Sequence, residues 1–439
     1  MASAKMHPKL VKFQKAIENR TKLSSDLFVK PSFKIDYINT GSTVLNMLIG
    51  GSQLPDGHFV CPGYPRGAII EIYGQESSGK STLALTALGQ TIYNEGKNDG
   101  CGLYVDLECA VKDYYAIKLG ADFRSPELGG SGQAMRAQPR TFEETEGLVI
   151  NAALNGIDLI VIDSVAGLVS TREVKRDVTN DKERQGVAEI PRLMATFLPK
   201  LQNICSRTKT TVIFLNQTRD KIGAMGYSDE ALKTTTGGNS LKFWSAIRLY
   251  LKPRQKTKAK VWNPIIKDFE EVAISTDIEV KMIKNKVDAK QGHSGLITIR
   301  YGIGVDEIRT MLNVAEAYDI VKMTKNARKQ EVYIFKSESG STVEAIGIEK
   351  FRAELQKSSH MPELIKRSQV KLIEGYKMLS DEQLADLAET TKEDHEDYDE
   401  AEYIDTSKPT VIDYTDVIDS ESINSESTVD PTSISEIDI

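Results

Sequence analysis

Short, almost unbroken apolar runs punctuate the middle of this chain: AIIEIY at 68–73, CGLYVDLE at 101–108, DLIVID at 158–163 and TTVIFLNQ at 210–217. A strand with one wet face alternates apolar and polar residues, whereas a strand covered on both faces has no reason to. These runs therefore predict buried strands. The stretches between them, such as 80–97, carry apolar residues at helical spacing. Buried strands separated by helices predict an α/β fold with a mainly parallel central sheet covered on both faces. Three further runs, AIRLYL (246–251), IEVKMIKNK (278–286) and GLITIRYG (295–302), follow with little helix between them and predict an antiparallel flank. Residues 7–20 place Leu10, Phe13 and Ile17 on one face of a helix. Residues 52–66, with three prolines and two glycines, read as a surface loop. Residues 305–378 mix helix and strand and read as a small α+β domain.

Composition changes this picture in one respect. At 439 residues, 40% apolar and 27% charged, the chain has an ordinary globular composition. No apolar stretch is long enough to span a membrane, and MASAKMHPKL lacks the apolar region of a signal peptide, so the expectation is a cytoplasmic protein with no membrane partner. Cys61, Cys101, Cys109 and Cys205 form no C-x-x-C pair and the five histidines are scattered, which argues against a zinc site or a disulfide framework. The net charge of −7 conceals a polarised distribution. Residues 381–439 hold 20 acidic residues against Lys392 and Lys408, about −18, which leaves about +11 on residues 1–380. A basic body with an acidic tail suits a polyanion partner whose binding the tail regulates; a purely solubilising tail fits the composition equally well.

The strongest chemical signal is GQESSGKS, Gly74 to Ser81, which fits the phosphate-loop pattern G-x-x-x-x-G-K-[ST] between a strand and a helix. Backbone N–H groups over Gly74, Glu76, Ser77, Ser78, Gly79 and on into Thr82 are placed to enclose phosphate oxygens at a helix N-terminus. Lys80 would pair with the β- and γ-phosphates of ATP, and the Ser81 hydroxyl would ligate Mg²⁺. Asp163, ending DLIVID, is the expected second carboxylate facing that hydrated Mg²⁺. Glu108, closing CGLYVDLE, is a candidate to orient or deprotonate the attacking water. Gln217, closing TTVIFLNQ, is placed to hydrogen-bond the γ-phosphate or that water. Strand-end polar residues line the ligand crevice of an open α/β sheet, so these positions are expected to converge. Singly, each is as consistent with a turn or cap residue.

In this order and context the blocks EIYGQESSGKSTL, YVDLECAVKDYYAIKLG, LIVIDSVAGLV, FLNQTRDKIGAMG, TTTGGNSLKFW and VKMIKNKV resemble the RecA recombinase family over about residues 38–305. The small domain following the core is similar to the bacterial and phage branch, and the insertions at 52–66 and 124–139 suggest a phage or otherwise divergent member. The resemblance implies a catalytic role for Glu108 and adenine stacking on Tyr115. It also departs from the family, which often has Asp where this chain has Lys112, with Asp113 next to it. It implies that Gln217 couples the γ-phosphate to a second DNA-binding loop at 218–239, with Arg219, Lys221, Ile222, Met225, Lys233, Gly237, Gly238 and Asn239 in contact with DNA. The first DNA loop falls near 172–186, where Arg184 and Gln185 stand in place of the usual apolar residue; five basic residues there face four acidic ones.

A strand through IEVKMIKNK would put Ile278, Val280, Met282, Lys284 and Lys286 on one face, with two lysines closing an apolar row. That reads either as an exposed strand end or, on the resemblance, as cations reaching the γ-phosphate of the next subunit with Phe243 nearby. The resemblance thus implies a filament with ATP at its interfaces, assembled on single-stranded DNA and pairing it with homologous duplex DNA. The expected division is an N-terminal oligomerisation segment at 1–37, an ATPase core at 38–304, a small C-terminal domain at 305–380 and an acidic tail at 381–439. Association with the nucleoid, or residence in the host cytoplasm for a phage protein, goes with that reading. A hexameric RecA-core motor and an ATP-binding DNA scaffold without productive hydrolysis are the alternatives.

Overall fold

A computed structural model of the chain describes residues 9, 12, 13, 34–54, 57–93, 99–175, 189–220, 233–288 and 290–375. The helix expected at 7–20 lies, apart from three of its residues, outside that set, as does the acidic tail.

Among the described residues the centre is a ten-stranded sheet. Its parallel part is built from β3 (Ile69–Gly74), β4 (Gly102–Asp106), β5 (Ala134–Ala137), β6 (Leu159–Asp163), β7 (Thr211–Asp220) and the first part of β9 (Ile247–Asn263), in the order β9-β3-β7-β6-β4-β5. Antiparallel β10 (Asp268–Asn285), β11 (Ser294–Arg300) and β12 (Gly304–Val305) extend it beyond β9, and β8 (Lys233–Thr235) pairs with the end of β7. The fold class expected from the apolar runs is the one observed, α/β with a large, mostly parallel sheet.

Coverage of both faces explains those runs. Ile70, Ile72, Val161, Ile213 and Leu215 pack on one face against α1 (Thr43–Gly50) and α2 (Lys80–Ile92). Ile69, Ile160, Ile162, Val212 and Phe214 pack on the other against α4 (Phe142–Leu154) and α6 (Glu189–Thr208). Successive residues of one strand thus enter different cores, so apolar residues follow one another with few polar interruptions, of which Glu71 on β3 is one. The short helices α3 (Asp113–Lys118), α5 (Thr171–Val174) and α7 (Ser240–Trp244) complete this part.

After β12 the chain makes α8 (Glu307–Ala317), then an antiparallel sheet of β13 (Val321–Lys325), β14 (Glu331–Lys336) and β15 (Thr342–Ile346), then α9 (Ile348–Lys357) and α10 (Met361–Gly375). Tyr333, Phe335, Phe351, Leu355 and Leu364 form a third core there. Asp306 ties the two regions together: it caps α8 through the Arg309 N–H and accepts from the Arg352 guanidinium at 2.7 Å.

The structure corrects three expectations. The stretch 52–66 is a surface loop only in part: Gln53, Gly57 and His58 are exposed, but Cys61 and Tyr64 are fully buried and Tyr64–Pro65 forms β2 against β1 (Tyr37–Ile38). Its prolines and glycines shape a backbone that packs closely on α1; a Cβ at Gly50 would lie 2.3 Å from the Cys61 carbonyl oxygen. Second, the face expected to run from Ile278 to Lys286 is broken by a bulge between Met282 and Lys284. Ile278, Val280 and Met282 are buried, and the chain is re-aimed before the lysines. Third, AIRLYL and IEVKMIKNK are the inner parts of two far longer strands, of 17 and 18 residues. Their outer parts are exposed on both faces, so no burial pattern marked them.

The central strands are keyed by a buried charge. Glu71 on β3, fully buried, accepts from Arg248 Nε on β9 at 2.5 Å and from Asn216 Nδ2 on β7 at 2.9 Å. Asn216 also donates to the Thr236 carbonyl, linking this network to the turn after β8. Removing the carboxylate would leave a guanidinium that is only 11% exposed without its counter-charge. Glu71→Ala is therefore expected to cost about 3 kcal/mol of stability, measured by urea denaturation.

Candidate functional site

The carboxyl edge of the parallel sheet gathers the residues that the sequence singled out. Gly74 and Gln217 sit opposite each other in the β3–β7 register, and Asp106 sits opposite Asp163 in the β4–β6 register. Between Gly74 and Lys80 the loop turns tightly, with Ser77 at φ 57° and Gly79 at φ 88°. Gly79 has a double reason to be glycine. Its backbone is left-handed, and a Cβ there would meet the Ile299 side chain at 2.3 Å.

Lys80 opens α2 and folds back over the loop, its Nζ donating to the carbonyls of Gln75 at 2.7 Å and Gly74 at 3.3 Å. Burial lowers its pKa, against the opposing pull of Asp163, Glu108 and Glu76. Asp163 accepts from Ser81 Oγ at 2.7 Å and from Tyr104 OH at 2.6 Å, and burial raises its carboxyl above the ordinary value despite those two bonds. For both the buried ammonium pushed down and the buried carboxylate pushed up, the cost of desolvation outweighs the stabilisation of the charged form by its neighbours. The Ser78 hydroxyl is also buried, with no hydrogen-bond partner among the described residues. These features fit a site that receives an anion at Lys80 and a cation at Ser81 and Asp163.

Glu108 lies two residues past the end of β4, not within the strand. It accepts hydrogen bonds from Ser164 Oγ and, at 3.1 Å, from Gln217 Nε2. The candidate base and the candidate γ-phosphate sensor are thus in direct contact, joined to the metal-facing strand end through Ser164.

Beside the loop opens a cleft of about 420 Å³. Ser77 to Thr82 form its floor, Tyr114 and Tyr115 one wall, and Thr276, Ile278, Ile299 and Tyr301 the other. Tyr115 is fixed by a 2.9 Å hydrogen bond between its hydroxyl and that of Thr82. Lys112 caps the start of α3 and does not line this cleft, while Asp113 is held by Arg136 at 2.9 Å. Sequence reasoning missed Tyr301, Tyr104 and Ser164. Tyr301 closes a strand with no motif around it, and the other two act through contacts with Asp163 and Glu108.

Lys284 and Lys286 are elsewhere. In the β9–β10 register Lys284 pairs with Arg248 and Asn285 with Ile247, which is level with Ile70 at the foot of β3. Lys284 is therefore level with Glu71, about 10 Å down the sheet from Gly74, and Lys286, level with Ile69, about 16 Å down, both towards the end of the strands away from the phosphate loop. Lys284 Nζ donates to the carbonyls of Lys242 at 2.7 Å and Phe243 at 2.9 Å at the end of α7, beside the exposed Phe243 ring. Burial lowers the Lys284 pKa, as do Lys286 and Arg248.

Of the expected DNA contacts, Arg219 is exposed on the outer end of β7. Gly237 and Gly238 have left-handed backbones, and Cβ atoms there would come within 3 Å of Val165 and Pro191. Asn239 begins α7, its carbonyl side chain accepting from Lys242 Nζ at 3.1 Å. Arg184, Gln185, Lys221, Ile222 and Met225 lie outside the described residues, as does the Lys233 side chain. No helix among the described residues is long and apolar enough to cross a membrane.

Residues 15–306 match the family model described as the RecA N-terminal domain. The chain is 37% identical over 289 residues to Protein RecA of Bacteroides thetaiotaomicron, covering 66% of this chain and 76% of that one. It is 34% identical over 319 residues to Protein RecA of Thermus aquaticus, covering 70% and 82%. With Protein RecA of Streptococcus pneumoniae the identity is 32% over 321 residues, covering 70% and 73%.

The wall formed by Tyr301 yields a binding prediction. Tyr301→Ala is expected to weaken the affinity for a fluorescent adenine nucleotide about tenfold, measured by anisotropy, because an aromatic surface lining the same cleft as Tyr115 is removed.

Proposed function

The chain belongs to the RecA family, and on that premise we propose that it is a DNA-dependent ATPase that assembles on single-stranded DNA as a helical filament and catalyses pairing and strand exchange with homologous duplex DNA. One observation supports this reading: the phosphate-loop cluster and the Lys284–Lys286 pair lie towards opposite ends of the strands of one sheet. Lys80, Ser81, Asp163, Glu108 and Gln217 gather at the carboxyl edge, whereas Lys284 and Lys286 stand towards the other end beside an exposed phenylalanine. A lysine pair so far from its own phosphate loop is suited to the phosphate of a neighbouring copy.

In this reading Lys80 and the loop N–H groups bind the β- and γ-phosphates, and the cleft between Tyr115 and Tyr301 takes the adenine. Ser81 and Asp163 hold the divalent metal, for which Mg²⁺ is the natural choice with these oxygen ligands. Bound there, Mg²⁺ would offset charge on the phosphate oxygens. Glu108 orients and deprotonates the attacking water, and Ser164 and Gln217 hold its carboxylate in position. The contact between Gln217 and Glu108 supplies a link from the hydrolytic centre to the DNA loop, since β7 continues from Gln217 directly to Arg219. Lys284 and Lys286 act in trans, neutralising charge that develops on the γ-phosphate of the adjacent subunit. ATP then stabilises the interface, and its hydrolysis loosens it.

The remaining assignments follow the same reading. Residues 1–37 dock onto the next subunit, 38–304 form the ATPase core, 305–380 a small accessory domain and 381–439 an acidic regulatory tail. The protein works in the cytoplasm, on DNA.

Glu108→Gln separates turnover from assembly. Filaments on single-stranded DNA with ATP are expected in electron micrographs at wild-type abundance, while DNA-stimulated hydrolysis falls at least about a hundredfold. Hexameric rings, or wild-type hydrolysis indifferent to DNA, would sink the proposal.

A further inference from the structure

Asp163 is held by two donors of different kinds. Ser81, on the first turn of α2, lines the cleft and donates to Asp163 Oδ2 at 2.7 Å. Tyr104, fully buried on β4, donates to the same oxygen at 2.6 Å. Tyr104 is not among the residues that line the cleft, so its hydroxyl reaches the contents of the site only through the carboxylate. An O–H···O⁻ bond of this length is charge-assisted, one of the stronger kinds that proteins make.

The phenol is anchored where Ser81 is not. Tyr104 is level with Val161 on β6 and belongs to the same core as Ile70, Leu83 and Val161. Its ring meets Phe123 edge to face, with centroids 5.9 Å apart, and the Arg136 guanidinium covers Phe123 at 5.7 Å. Ser81 is itself a candidate metal ligand, so its hydroxyl turns with whatever binds there. Tyr104 supplies the bond that stays. Both bonds fall on Oδ2, so together they set the rotation of the carboxylate, and the buried one keeps it set when the site is filled.

We propose that Tyr104 is a positioning residue for the divalent metal, and that the orientation it imposes on Asp163 favours Mg²⁺ over Ca²⁺. The inference rests on the reading of Ser81 and Asp163 as the residues that hold the metal. Mg²⁺ is small and demands nearly ideal octahedral geometry, whereas Ca²⁺ accepts more oxygens in looser arrangements. A carboxylate held in one rotation suits the strict ion; one free to swing gives the tolerant ion the advantage. Hydrogen bonds from behind a metal-holding carboxylate set its orientation and with it the affinity of the site. The same bond also draws negative charge from Oδ2 and weakens the attraction for any dication. That effect acts on both ions alike, so the ratio of their affinities isolates orientation.

Tyr104→Phe in the full chain keeps the ring and removes only the hydroxyl. The test follows the anisotropy of a fluorescent adenine nucleotide titrated separately with MgCl₂ and CaCl₂, which needs no turnover. The half-saturating Mg²⁺ concentration is expected to rise about tenfold, while that of Ca²⁺ stays at the wild-type value. An unchanged Mg²⁺ curve overturns the proposal. Equal shifts of both ions overturn it too: weaker binding of both marks a general loosening of the core, and tighter binding of both marks a charge effect alone. The wild type keeps the two readings apart. If its nucleotide binding responds to neither ion, the metal site at Ser81 and Asp163 fails and the role of Tyr104 falls with it. A normal wild-type response beside an indifferent Tyr104→Phe refutes the positioning role alone.

Discussion

A carboxylate buried at the centre of a sheet constrains everything around it. Glu71 can be satisfied only when Arg248 on β9 and Asn216 on β7 are both alongside, so it fixes the register of three neighbouring strands at once. That register sets what stands at each edge. With Glu71 level with Phe214 and Arg248, Gly74 comes level with Gln217 on one side and Leu251 on the other. A slip of one residue would turn Gln217 to the opposite face and break its contact with Glu108. The geometry of the candidate catalytic centre is in this sense inherited from a polar network two or three residues below it.

The same register separates the charges. The upper edge holds a buried lysine and a buried aspartate whose pKa values burial moves in opposite directions. The lower edge holds Lys284, lowered by burial and by its cationic neighbours. A single copy cannot bring the lower cations to its upper edge. Stacking copies head to tail can, and it would supply negative charge to the one edge and positive charge to the other. That is the arrangement of the proposed filament, an open head-to-tail assembly.

Much of this was legible in the sequence, for reasons of spacing. The phosphate loop is contiguous, and strands covered on both faces reveal themselves by nearly continuous apolar runs, Glu71 being the exception in β3. Glu108, Asp163 and Gln217 were found because strand ends in such a sheet must converge. The contact between Glu108 and Gln217 was not legible, since it bridges 109 positions and depends on which strands are neighbours. Tyr301 escaped because an aromatic at a strand end carries no motif. The bulge after Met282 escaped because a two-residue period cannot signal its own interruption. The β9–β10 ribbon was hidden for the opposite reason to the core strands: with both faces in water it has no apolar period at all.

Mixing two inactive variants tests the central claim, that an ATP site is completed by the next copy. Lys284→Ala keeps Glu108 but lacks the cation, and Glu108→Gln keeps the cation but lacks the base. When the two are mixed in equal amounts on single-stranded DNA, random assembly makes intact about a quarter of the interfaces, each with Glu108 from one variant and Lys284 from the other. The account predicts that hydrolysis recovers to about that share of the wild-type rate. A mixture no more active than the sum of the two variants, under conditions where both enter the same filaments, would contradict it.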